Sequence, residues 1–339
     1  MLVKTTLRRL RARCVAVGAL AACGALAGCG TAVVLPGSGA SGVSSAVSNG
    51  PQLGYLWDAA DQTLRPVLGI PGSSQFGQSV TTAGLYINGA GSARSGLALL
   101  QSANGSLSWM VLPSGSAQII AGASFSGPAQ IAFSPSGTDA IVFTPGAASL
   151  LLVTGLGATP QAQTLTTPSA FLSAAVSDTA QVAAVSGSAP LSVALLTGNH
   201  STLGSLGGFG GLGFLPGGDD LLLADSGGGV VTVIRHSSTA PAAQSFTSAS
   251  IQAPVAVAAS LDGRWAVVAN GGDPSAVRLD LSGATAPLRI ACTCQPALLN
   301  PLMGNAVFSL TPLTASPNWV VDASAATPRT VFIPALVKP

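Results

Sequence analysis

The chain has no glutamate, and beyond residue 13 it has a single lysine, Lys338, so its eleven acids are all aspartate. Only 7% of its 339 residues are charged, which leaves the solvent face to Ser, Thr, Gln, Asn, Gly and Ala. Lys4, Arg8, Arg9, Arg11 and Arg13 hold five of the thirteen positive charges, and the remaining eight face eleven acids, a net charge of −3. That balance excludes a clustered basic surface for nucleic acid. Beyond the N-terminus no apolar run reaches the eighteen or so residues of a spanning helix, because Gly, Ser, Thr and Pro interrupt every one. The runs of five to seven residues also fall short of the roughly nine to eleven that a membrane β-barrel strand needs. With 48% hydrophobic residues the chain does not carry the composition of disorder. Catalytic signatures are scarce as well: there are two histidines, His200 and His236, and no G-x-S-x-G, H-E-x-x-H or D-x-[DN]-x-[DN]-G motif.

What is present is a repeat. In Val255 to Asn270, VAVAASLDGRWAVVAN, two apolar runs flank Ser260-Leu261-Asp262-Gly263, which reads as a β-hairpin. Asp accepts backbone N–H bonds in such a turn and Gly tolerates positive φ. Similar stretches stand at Ile131 to Phe143, Ala174 to Val185 and Leu212 to Ala224. Aligned on Ser134, Ser177, Leu215 and Ser260, their turns are 43, 38 and 45 residues apart, the period of a four-stranded propeller blade.

The N-terminus is an address. Residues 1 to 29 combine a basic segment, an apolar run from Cys14 to Ala27, and Leu26-Ala27-Gly28-Cys29. Those four residues resemble the lipobox of bacterial lipoproteins, which implies acylation of Cys29 and export to the cell envelope, at the outer membrane if the cell is Gram-negative. Arg8-Arg9 leaves twin-arginine and general export both open. Gly30 to Gln52 is uncharged and rich in Gly, Ser, Ala and Val, and reads as a tether of about 25 Å root-mean-square reach.

From Leu53 to the end the chain reads as strands and turns. A first pair, Gly54 to Asp58 and Arg65 to Ile70, precedes six four-strand groups beginning near Val80, Gln130, Phe171, Gly211, Pro254 and Ala297. The expected fold is an all-β propeller of four-stranded blades over 53–339, seven in number with six as the alternative. In the six-bladed version the first pair completes the blade that holds the C-terminal strands. Closure removes the sheet edges that would otherwise template aggregation. The turns Ser134-Pro135-Ser136-Gly137 and Ser260-Leu261-Asp262-Gly263 resemble those of bacterial YVTN/WD40-like β-propellers, and Trp57-Asp58 is a lone WD dipeptide. That resemblance implies the fold and leaves function open, since propellers host enzymes and platforms alike.

Asp139, Asp178, Asp219, Asp220 and Asp262 lie in or beside the repeated turn, where bonding to backbone amides is the expected role and calcium ligation or general acid/base work the alternative. Lactone-hydrolysing propellers use a metal held by acidic and His or Asn side chains, for which this chain has few donors. Gly207 to Gly211 and Gly227 to Gly229 suggest phosphate loops, but strand-like sequence follows each where a helix would be needed, so they read as tight connections. Cys292 and Cys294 allow a local disulfide, two buried thiols or a metal site; a regular strand would hold them about 6.6 Å apart, so a disulfide needs a bulge. Trp57, Trp109, Trp265 and Trp319 fall in strands of different groups, as packing residues or as an aromatic rim. No catalytic residue, metal or cofactor is expected. The reading is a lipid-anchored platform for a protein or polymer partner, with no nucleic acid and with the membrane reached only through Cys29; a propeller hydrolase with its site at the channel mouth is the alternative. The scarcity of His and Glu also predicts stability that varies little from pH 7 to about 4, suited to a mildly acidic exterior.

The address is testable by itself. Cys29→Ala is expected to leave the body folded and to move the protein from the membrane fraction to the soluble fraction, or to stall leader removal. Unchanged fractionation and processing would show that Cys29 is not the anchor.

Overall fold

The computed structural model describes residues 50–80, 84–113, 115–167, 169–198, 201–313 and 317–335. The chain divides into a unit of 1–44 and a unit of 45–339. The leader, Cys29 and most of the tether lie outside the described residues, as does His200. The second unit is a seven-bladed β-propeller, and its described residues contain twenty-seven strands and no helix.

Each blade is an antiparallel sheet whose strands pair in chain order. The blades span 52–76, 86–124, 130–166, 171–206, 209–247, 254–291 and 300–333. Five of the six expected starts lie within two or three residues of these, and Val80 precedes its blade by six. The first blade corrects the reading of an N-terminal pair. It has a third strand, Ser73–Phe76, whose sequence SSQF shows too little apolar alternation to be recognised. Its first strand, Gln52–Asp58, begins inside the expected tether. The blade does not merge with the C-terminal strands, which form a complete four-stranded sheet of their own.

Burial follows strand position. Second strands such as Leu97–Ser102, Ala140–Phe143 and Leu221–Asp225 are buried almost throughout, which explains their continuous apolar runs. Fourth strands such as Gln161–Thr166 and Ala242–Thr247 are mostly exposed and correspondingly polar. The core lies between the sheets. The described residues contain seven buried clusters, each drawn from two adjacent blades. The seventh joins Leu53 and Val67 of the first blade to Val307 and Val320 of the last, which closes the ring.

First strands are rich in Gly and Ala because the sheets converge toward the axis. A Cβ on Gly211 would stand 2.6 Å from Val257 N in the next blade. These strands run parallel from blade to blade: Gly210 faces Pro254 and Gly211 faces Ala256. The first blade is inverted. Gly54 faces Ala93, Tyr55 faces Gly91 and Trp57 faces Gly89, so its inner strand runs antiparallel to its neighbour.

The repeated turn is built the same way in three blades. Ser134, Ser177 and Ser260 are buried, and their hydroxyls accept from the amides of Asp139, Gln181 and Trp265 at 3.3, 3.0 and 2.9 Å. The fourth turn residue has positive φ, 79° at Gly137 and 67° at Gly263; Ala180 fills that place in the fourth blade at 57°. These turns gather at one mouth of the ring, where they bond across blades. Ser136 N and Gly217 N donate to the two oxygens of Asp178, at 2.6 and 2.8 Å, so one carboxylate ties three consecutive blades.

Asp178→Ala leaves two amides from neighbouring blades without their charged acceptor and is expected to cost about 2 kcal/mol. In a domain of this size that lowers the thermal midpoint by roughly 3 °C. A change below about 0.5 kcal/mol in denaturant unfolding would show that the clasp contributes little.

Candidate functional site

The mouth carrying the repeated turns is the candidate site, because seven of the eleven aspartates and several exposed side chains lie there. Its ring of clasps continues beyond Asp178. Arg94 Nη1 donates to Pro135 O at 2.8 Å, joining the second and third blades. In the sixth and seventh, Asp262 N donates to Asn305 Oδ1 and Asn305 Nδ2 returns a bond to Asp262 Oδ2, each at 2.9 Å. Leu261 N donates to Asn305 O at 2.6 Å, and Met303 N reaches Leu53 O of the first blade at 2.5 Å. Asp262 also receives Ser260 Oγ and Arg264 N.

The other turn acids reach across loops rather than around their own turn. Asp139 accepts from Gly155 N at 3.0 Å. Asp219 accepts from Ser238 N at 2.8 Å and from its hydroxyl, and Asp220 accepts from His236 N at 2.8 Å and pairs with Arg235 at 2.7 Å. Oxygen atoms of Asp219 and Asp220 and a ring nitrogen of His236 lie within 4.8 Å of one another, a juxtaposition that spacing in the sequence did not reveal. That set offers three donors, while calcium takes six to eight oxygens.

Burial pushes the carboxyls of Asp219 and Asp262 up, but the bonds each accepts outweigh it and hold both below the ordinary value. For Asp280, where a third strand ends at the same mouth, the Ser282 hydroxyl is the main cause of the same shift. Asp139 moves the other way: burial raises it, and the charge of Asp178 adds to that against the bond from Gly155.

The opposite face holds the glycine loops and the cysteines. Gly207, Gly208 and Gly227 donate their amides to Asp225 at 2.9 Å and Gly228 does so at 3.2 Å. The loops do form an anion nest, and a carboxylate of the protein fills it. These four amides depress the Asp225 carboxyl despite the opposing effect of burial. Beside it, buried Asn270 bonds Ser250 O, Asp273 and Ser275, and Asp273 pairs with Arg289 at 2.6 Å. Asp273 is likewise held low: burial opposes the shift, and Ser275, Arg289 and Asn270 outweigh it. Cys292 and Cys294 are joined by a disulfide with Cα atoms 5.1 Å apart, just past the end of the strand Leu288–Ala291. Both are buried in the core between the last two blades.

The tryptophans are not gathered into one rim. Trp109 is buried in a core, Trp319 lies against Phe332 with centroids 5.8 Å apart and the rings tilted by 54°, and Trp57 packs against the second blade. Trp265 stands at the turn-bearing mouth with two arginines against its ring. Leu261 in the adjoining turn, and Met303 in the seventh-blade turn that bonds to it, are exposed by 49% and 47%.

No protein-family model and no curated protein matches this chain. Solved structures do resemble it. A functionally unknown protein from Desulfotomaculum acetoxidans DSM 771 is 13% identical over 84% of this chain and 100% of that one, with a TM-score of 0.57. Virginiamycin B lyase from Staphylococcus aureus is 12% identical over 72% of this chain and 82% of that one, at 0.51. The Cps50 (Swd1) β-propeller domain of Myceliophteria thermophila is 11% identical over 75% and 88%, also at 0.51. At these identities the likeness is one of fold.

The titration directions set a pH profile. Asp219, Asp225, Asp262, Asp273 and Asp280 have depressed carboxyls, so their stabilisation is complete above about 3.9 and is lost as pH falls through their lower folded values. Asp139 is raised, so its contribution is present below about 3.9 and is lost as pH rises through its folded value. Thermal midpoints are expected to stay level or rise slightly from pH 7 toward pH 4.5 and to fall below about pH 4. A drop of more than about 5 °C between pH 7 and pH 5 would contradict this assignment.

Proposed function

We propose that the protein is a non-catalytic binding platform, lipid-anchored through Cys29 in a bacterial envelope, whose turn-bearing mouth receives a protein or polymer partner. The observation that supports it is how the polar groups of that mouth are used. Asp139, Asp178, Asp219, Asp220 and Asp262 accept from amides or pair with Arg235, so they hold loops in place rather than wait on a substrate. Rigid loops carrying a few exposed apolar and cationic side chains suit recognition, because little ordering entropy is spent on binding. A lyase shares the fold, so the fold itself does not choose between binding and catalysis.

Crosslinking of intact envelopes followed by capture and mass spectrometry tests the reading. Crosslinks are expected to map to residues 94–95, 135–138, 178–180, 217–219, 261–264 and 303–305. Crosslinks confined to the opposite face would count against it. One observation supports the alternative of a metal-dependent hydrolase, namely the convergence of Asp219, Asp220 and His236. Under that alternative, millimolar calcium, manganese or zinc raises the thermal midpoint and Asp219→Asn abolishes the rise. The platform reading expects no rise.

A further inference from the structure

The turn-bearing mouth has one place where cationic groups are gathered and their donors left over. Arg264 and Arg278 each hold the guanidinium carbon 4.4 Å from the centroid of the Trp265 ring. Strand pairing explains half of this arrangement: Trp265 lies opposite Asp280 and Val267 opposite Arg278, which puts Arg278 diagonally beside the indole on one sheet face. Arg264 comes from the adjoining turn. Attraction to the ring's negative face offsets part of the repulsion between the two cations.

Their hydrogen-bonding capacity is mostly unspent. A guanidinium carries five N–H donors. Arg278 donates one bond, from Nη1 to Ala323 O at 2.8 Å, and the Arg264 side chain donates none among the described residues. The nearest acid to Arg264 is Asp280, at 4.0 Å, and Asp280 already accepts from Ser282 N, Ser282 Oγ and Thr285 Oγ1. Asp262, the other acid of this corner, is committed to Ser260, Arg264 N and Asn305. The Arg264 side chain remains 57% exposed.

We infer that Arg264, held against Trp265 between the sixth and seventh blades with Arg278 against the same ring, binds a carboxylate of an acidic side chain that has a large apolar residue beside it on a protein partner. This rests on the platform reading and supplies its chemistry. A planar fork on a fixed ring is preorganised for the two oxygens of a carboxylate. The charges of Asp262 and Asp280 cancel those of the two arginines, so the corner carries no net positive charge to draw a phosphate dianion in preference to a carboxylate. Exposed Leu261 and Met303, carried by the two neighbouring turns, provide the apolar contact next to it.

The test uses the exported chain and a fluorescein-labelled octapeptide of alternating Glu and Leu, followed by anisotropy and by tryptophan emission. Saturable binding is expected, with affinity at least tenfold weaker for Arg264→Ala and intermediate for Arg264→Lys, which keeps the charge and loses the fork. Trp265→Phe should remove the emission change. Arg264 is exposed, so its variants are expected to fold, and unchanged thermal midpoints check that. Equal binding by Arg264→Ala, equal binding of a Lys-Leu octapeptide, or displacement by equimolar inorganic pyrophosphate would each overturn the carboxylate site. The platform and the site fail separately. Envelope crosslinks at the mouth that Arg264→Ala leaves unchanged overturn the site alone, whereas Arg264-dependent peptide binding without any envelope crosslink there overturns the platform alone.

Discussion

No sheet of this protein owns a core. From the second blade to the seventh, each second strand is buried on both faces by the blades on either side, and each buried cluster draws its residues from two blades. A blade on its own would expose both apolar faces to water, at about 25 cal/mol for each Å² of apolar surface. The only arrangement that buries all fourteen sheet faces is a closed ring, and that requirement fixes the rest. It puts large aliphatic residues in second strands, small ones in first strands where the sheets crowd together, and uncharged polar ones on the rim.

Closing the ring creates a second demand at the mouths, where loops from different blades meet with their amides unpaired. Aspartate meets it. Its short side chain sets two acceptors close to the backbone, so it can serve a neighbouring turn, as Asp178 does, or a pair of glycine loops, as Asp225 does. This use gives a physical sense to a composition in which all eleven acids are of one type. A carboxylate engaged in this way is a structural acceptor, and the chemistry left over at the turn-bearing mouth belongs to arginine, tryptophan and exposed aliphatic side chains.

The ring was legible in the sequence because its signal repeats. Ser134, Ser177 and Ser260 recur at blade spacing, and each is a buried hydroxyl closing the same turn. The first blade was only partly legible: SSQF does not alternate like a strand, and nothing in a linear reading betrays that Gln52–Asp58 runs against its neighbour. The turn acids were visible as acids, but their partners were not. Asp178 meets residues about 40 positions away on either side, and Asn305 meets Asp262 from 43 positions away. The strand-like sequence after each glycine loop marks it as a connection, yet the carboxylate the loops surround comes from Asp225, which no local pattern ties to them. Trp265 stood out as an aromatic in a strand, whereas its two arginines converge only through pairing register and a turn.

The seam between the last blade and the first has a topological consequence. The two blades share a core but exchange no strand, and Gly50 and Pro334 line one cavity of about 710 Å³ beside it. The first blade differs from the others in its three strands and its reversed inner strand, but no strand exchange ties the ring's closure to the place where the chain starts. A short linker from 334 to 50 would make the body a covalent circle, and reopening that circle at any other blade boundary would give a chain with a new beginning and the same seven seams. In this fold the order of the blades around the axis matters, and the point at which the numbering starts does not.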